Sequence, residues 1–190
     1  FFTWVNFLSG GIMNPIKNNG VGGNRTDQLL ARLQASIDLK PRFIYINIGA
    51  NDIGQGISTS VINSNLLEIA TRITKAGIIC IFNTITPHET LTTRILATYE
   101  VNKYIKSLQN SIKNVLVVDA FSSIVNPSTD LAFSLHTRDG IHPSTIGAYK
   151  MGVEFYKTIN KYITPISLWS GGNGDVINNL ISNPCMLGGT

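Results

Sequence analysis

The chain has 190 residues, 43% hydrophobic and 14% charged, with a formal net charge of +4. That length suits one ordinary domain with a proper core, the hydrophobic share excludes disorder, and no apolar stretch approaches the roughly 18 residues of a membrane span. The fifteen Lys and Arg are scattered, which argues against nucleic acid, and Cys80 and Cys185 form neither a disulfide framework nor a metal-binding spacing.

Residues 1–8 open the chain with apolar side chains at 1, 4, 5 and 8, a helical spacing. Residues 16–19 predict a short strand, followed by a turn at Gly20-Val21-Gly22-Gly23. Residues 26–37 carry apolar side chains at 29, 30, 33 and 37, one helix face, with Thr26 as expected N-cap. Residues 42–48 (RFIYINI) predict a strand. Residues 60–76 predict a helix closed by Gly77, residues 78–83 a second apolar strand, and residues 91–112 a long helix. Residues 115–118 predict a third apolar strand ending at Asp119. A last helix is expected over 143–162, with Pro143 in its first turn. Strands alternating with helices imply a parallel sheet covered on both faces, with any site at the carboxyl ends of the strands. Residues 164–190 are rich in Gly and Asn and read as a linker or the start of a further module.

Three polar motifs fall at strand ends. Asn18-Asn19-Gly20-Val21-Gly22-Gly23-Asn24-Arg25-Thr26 precedes a helix. Its glycines suit either close approach of backbone N–H groups to a ligand or a tight turn. Gly49-Ala50-Asn51-Asp52 follows the RFIYINI strand. The Asn51 amide can donate to an oxyanion, Asp52 is expected to tie down its own loop, and an ordinary turn is the bland alternative. Asp139-Gly140-Ile141-His142-Pro143 precedes the last helix. A carboxylate three residues before a histidine can turn back onto Nδ1–H and leave Nε2 as a general base. The alternative is a capping Asp beside an exposed His.

In order and spacing the three motifs together resemble the SGNH, or GDSL-like, hydrolases, over roughly residues 1–163. NNGVGGNRT resembles the family's glycine block, GAND its GxND block and DGIHP its DxxH block. The resemblance implies an α/β, flavodoxin-like three-layer αβα sandwich and ester hydrolysis through an acyl-enzyme. It implies a Gly23 backbone N–H and the Asn51 amide in the oxyanion hole, His142 as general base and Asp139 as its orienting carboxylate. It implies no metal and no organic cofactor.

The family's first block, Gly-Asp-Ser after the first, central strand, has no counterpart here. Gly174-Asp175-Val176 in the tail is read as coincidence, and Ser9, Ser58, Ser60, Ser134 and Ser144 lie in the wrong places. The expectation is that the first central strand is missing and that the nucleophile lies upstream of Phe1, on an N-terminal peptide that carries that strand. The leading reading is a serine esterase or deacetylase, secreted or virion-associated, acting on a small-molecule or polysaccharide ester. Against it stand a non-catalytic SGNH-like glycan-binding or structural domain and an unrelated flavodoxin-like binding domain. His88, at a strand end, either lines the pocket rim or sits in a surface loop, the latter being the expectation; Arg25 and Arg138 either contact a substrate carboxylate or sit in water.

Overall fold

The computed structural model describes residues 2–13, 15–90 and 92–163. Among them β1 (Phe43–Ile46), β2 (Ile79–Asn83) and β3 (Val115–Val118) form one parallel sheet in the order β1-β2-β3. Phe43 lies opposite Ile79, and Cys80 opposite Val115. The strands are apolar on both sides because both sides are covered. Ile44, Ile46, Cys80, Phe82 and Val115 enter one core with Leu66 and Ile69 of α5 (Thr59–Lys75) and Val101 and Ile105 of α6 (Ile95–Ser111). Leu29 and Leu30 of α2 (Thr26–Arg32) and Ile37 of α3 (Gln34–Ile37) close its edge. On the opposite face Ile81, Leu116 and Val118 meet Val5 of α1 (Phe2–Leu8) and Phe155 and Ile159 of α8 (Thr145–Ile159). The result is the expected helix–sheet–helix sandwich. Two five-residue helices, α4 (Ala50–Gly54) and α7 (Ala120–Ile124), follow β1 and β3 at their carboxyl ends.

The boundaries differ from the sequence reading in several places, among them the long helix, which starts at Ile95 and not 91, and β1, which is confined to Phe43–Ile46. Residues 15–20 form no strand. Extended chain becomes a strand only when its backbone finds a ladder, and here side chains serve instead. Asn18 Oδ1 accepts from Gly20 N–H at 2.9 Å, Asn19 Nδ2 donates to Ser36 Oγ, and Arg32 donates to the Asn19 carbonyl. The helix expected over 26–37 breaks at Leu33 into α2 and α3. Arg25, not Thr26, occupies the N-cap of α2, because the N–H and hydroxyl of Thr26 are both committed to Asp52. The last helix starts at Thr145 with Ser144 as its N-cap, leaving His142 and Pro143 in the loop before it. Gly77 closes α5 at φ +76°, as expected. Residues 164–190, including Trp169 and Cys185, lie outside the described residues.

Two glycines let α8 seat on its neighbours. At Gly152 a Cβ would come within 2.9 Å of Trp4 Cβ on α1, and at Gly147 within 2.1 Å of the His136 carbonyl oxygen. The second obstacle is backbone and cannot rotate away. Gly147→Ala is therefore expected to destabilise the fold by about 1–3 kcal/mol, the usual cost of overpacking. Urea unfolding checks this, and an unchanged midpoint would mean that α8 moves off His136 freely.

Candidate active site

The glycine loop and the loop after β1 are stitched together. Gly49 takes φ +106° at the start of α4, where a Cβ would lie 2.8 Å from Ile85 Cδ1, so the backbone turns directly against β2's exit loop. That turn points Asn51 and Asp52 back across α2. Asn51 Nδ2 donates to the Asn24 carbonyl at 2.9 Å, which fixes the amide's orientation and leaves its second proton for another acceptor. Gly23 precedes Asn24 at φ +79°, exposed, and its N–H has no acceptor among the described residues.

Asp52 does not tie down its own loop, as the sequence reading had it. It is 1% exposed, and its carboxylate accepts Thr26 N–H at 3.0 and 3.1 Å and Thr26 Oγ1–H at 2.5 Å. A carboxylate there also meets the positive end of α2. Arg25, considered as a substrate ligand, is occupied: it pairs with Asp27 at 2.9 Å and donates to Gln55 Oε1 at 2.8 Å.

The loop before α8 brings Asp139 and His142 into contact. Asp139 Oδ2 lies 2.8 Å from His142 Nδ1, while Oδ1 accepts the backbone N–H of His142 at 2.8 Å and of Ile141 at 3.2 Å. Gly140 supplies the turn at φ +84°. Backbone donation from His142, then its ring, holds the Asp139 carboxyl down at about 2. A carboxylate so placed selects the tautomer with the proton on Nδ1 and leaves Nε2 unprotonated. The His142 side chain is 60% exposed, so that nitrogen is open to a reactant. Arg138 Nε stands 3.7 Å from the same Asp139 oxygen, more than half exposed.

The two halves meet across a cavity of about 50 Å³ lined by Ala50 and Ile53 of α4, Ile85 and His88 after β2, Arg94, and Ile141. Ala50 and Ile141 are the chain neighbours of Asn51 and His142. Glu89 N–H donates to the Gly140 carbonyl at 2.8 Å, and Thr137 Oγ1 donates to Glu89, fastening the His142 loop to the exit of β2. His88 therefore sits on the cavity rim, where burial and then Arg94 hold its imidazole below the ordinary histidine range. His136 is buried, with Nδ1 3.3 Å from the Ile124 carbonyl, and is structural. Trp4 packs edge-on against Tyr149 and Phe7. Among the described residues no group of three His, Cys, Asp or Glu could hold a metal. The sequence reading missed the Asp52–Thr26 clamp and Arg94; neither belongs to a recognisable local spacing.

A three-layer α/β domain with an Asp–His pair, an asparagine amide and a glycine turn at the carboxyl ends of its parallel strands has the architecture of the SGNH, or GDSL-like, hydrolases. The chain belongs to the GDSL-like Lipase/Acylhydrolase family, whose model matches residues 3–149. Its fold is similar to that of a GDSL-like lipase from Bacteroides thetaiotaomicron, with a TM-score of 0.69 at 19% identity over 85% of this chain and 84% of that one. It is also similar to a variant of an acetyl xylan esterase from Geobacillus stearothermophilus, with a TM-score of 0.72 at 19% identity over 86% and 80%. No curated protein sequence matches the chain.

Two measurements check the site's construction. The folded pKa of Asp139 lies below its unfolded value, so its contribution to stability is complete above about pH 4 and is lost as pH falls toward 2. Carboxyl NMR titration is expected to give a midpoint near 2. In His142→Ala the midpoint should rise yet stay below 3.8, because the largest cause, the backbone N–H, survives. Asp52→Ala orphans the buried donors of Thr26, and is expected to cost about 1–3 kcal/mol in urea unfolding. An unchanged midpoint would show that the clamp contributes nothing.

Proposed function

We propose that the domain is a carboxylic-ester hydrolase of the serine type, working through an acyl-enzyme. The observation that carries this is the Asp139–His142 pair, a fixed carboxylate on Nδ1 with Nε2 open to solvent. In this reading His142 takes the proton from a serine hydroxyl as it attacks the ester carbonyl, then returns it to the leaving alcohol. Asp139 stays ionised and stabilises the imidazolium. The Gly23 N–H and the free Asn51 amide proton receive the oxyanion, and the Asn51–Asn24 bond keeps these two donors within one residue of each other.

The serine belongs, in this reading, to a strand upstream of Phe1 that pairs with the outer edge of β1. Among the described residues β1 pairs only with β2, and a strand between two helical layers with one bare edge leaves backbone groups unmatched. No described serine hydroxyl hydrogen-bonds to His142. Ser144 Oγ donates to the Leu135 carbonyl and accepts from Gly147 N–H, and Ser9 Oγ donates to the Asn6 carbonyl. Acetylated polysaccharide is the favoured substrate class, on the likeness to an acetyl xylan esterase and the sparsely charged surface. The same serine inventory favours a second reading for the chain by itself, a non-catalytic glycan-binding or structural domain.

Fluorophosphonate labelling of the full-length protein, with intact-mass and peptide mapping, separates the two readings. The expected adduct sits on a serine upstream of Phe1. His142→Ala should then lower kcat by about 10⁴–10⁶, with Asp139→Asn losing somewhat less. An adduct on a serine within residues 2–163 would overturn the placement of the nucleophile. No adduct together with no ester hydrolysis would establish the non-catalytic domain.

A further inference from the structure

The cavity between the two halves of the site contains a charge that the fold leaves unmatched. Arg25, Arg32, Arg42 and Arg72 each donate to at least one protein acceptor, and Arg138 approaches Asp139. Arg94, half-buried in the cavity wall, has neither a hydrogen bond nor an ion pair among the described residues. Its guanidinium lies flat against Gly54, where a Cβ would come within 3.1 Å of Nη1 and 3.3 Å of Cζ. The missing side chain at Gly54 seats the group beside α4, one turn from Asn51.

Position makes the charge more costly. Arg94 is the N-cap residue of α6 and makes no side-chain cap, so a cation stands at the helix end that favours anions. The other ionisable groups around the cavity do not neutralise it. Asp130 also lines the cavity, but its carboxylate is held by Tyr99 Oη–H at 2.6 Å and forms no ion pair with Arg94. Glu89 is bound by Thr137, and Asp139 by His142. His88, the remaining neighbour, is no anion. A half-buried guanidinium without a partner is unfavourable until an anion arrives. Its planar fork matches a carboxylate bidentately.

We propose that Arg94 selects esters that carry a carboxylate within a few bonds of the scissile carbonyl. The carboxylate pairs with the guanidinium, and the short linker lies against Ile53, Ile85 and Ile95. The cavity of about 50 Å³ is small, which suits a short linker between the carboxylate and the scissile carbonyl. The carboxylate has two sources: the acyl group of a dicarboxylic half-ester, or the alcohol, as in an acylated hydroxy acid or uronic acid. This inference rests on the ester-hydrolase reading for its substrate class, but its test does not require turnover.

Binding is measured by calorimetry and amide-shift NMR at low salt, on wild type, Arg94→Gln and Arg94→Lys. The acyl-side pair is methyl hydrogen succinate against dimethyl succinate, and the alcohol-side pair is 2-acetoxypropanoate against its methyl ester. Wild type is expected to bind the anionic member of one pair at least tenfold more tightly, and that pair identifies the source. Arg94→Gln should abolish the preference and Arg94→Lys restore part of it. Neither variant removes a cap or a hydrogen bond, so both should fold. Equal affinities in wild type, a preference that survives in Arg94→Gln, or no binding of any of the four would overturn the proposal. Hydrolysis of the same esters by the full-length protein is followed in parallel. Preference without hydrolysis rejects the esterase reading and keeps the Arg94 site, whereas hydrolysis without preference does the reverse.

Discussion

A single buried carboxylate sets the geometry of half the site. Asp52, at the carboxyl end of β1, receives both the N–H and the hydroxyl of Thr26, and Thr26 Oγ1 accepts from Asn65 of α5 at 2.9 Å. Three elements distant in sequence thereby share one polar node inside the apolar layer. Its donors leave few oxygen lone pairs unmatched, which is what permits a carboxylate to be buried at all. The node also fixes the start of α2, so the two residues before Thr26 present the Asn24 carbonyl to Asn51. Oxyanion donors work only when their orientation is settled before charge develops. In the proposed hydrolase the Asn51 amide is such a donor, and its orientation is settled through the buried Asp52.

The other half is built differently, almost wholly from backbone. Arg138 N–H donates to the His142 carbonyl, Ser144 N–H to the His136 carbonyl, and Glu89 N–H to the Gly140 carbonyl. Within that tight turn Asp139 uses one oxygen for the chain and the other for the imidazole. The carboxylate is thus held even when the ring turns away, and the ring's position depends on the turn more than on the strength of one ion pair. Since both partners are largely exposed, Coulomb attraction alone would hold them weakly. The depressed Asp139 pKa records the backbone donation that makes up the difference.

The parts of this that the sequence made legible are those with a local signature. Runs such as Phe43–Ile46 and Val115–Val118 are apolar at every position because both faces are covered, and such runs stand out from amphipathic helices. DGIHP was legible because its donor and acceptor lie three residues apart. Residues 16–19 have a strand-like composition, but no neighbouring ladder among the described residues, and composition cannot supply one. The helices α4 and α7 are too short to show a period. The Asp52 clamp spans 26 residues, so its local context suggests an ordinary turn. Arg94 looks like any surface arginine until the fold places it against Gly54.

Charge is sparse in this chain, and its distribution around the site follows a pattern. The carboxylates at the strand ends are each committed: Asp52 to Thr26, Asp119 to Lys106 and Ser122, Asp130 to Tyr99, Asp139 to His142. Each is thereby held in place by hydrogen bonds from its own neighbourhood, and none forms an ion pair with Arg94. The guanidinium of Arg94 is not neutralised in the same way. Half-buried beside Ile53, Ile85 and Ile95, this charge is less well hydrated than one at the surface and acts more strongly. Beside burial, it opposes protonation of the neighbouring His88 imidazole. Among the described residues the guanidinium proposed to receive a carboxylate thus already acts on its nearest titratable neighbour through the same unpaired charge.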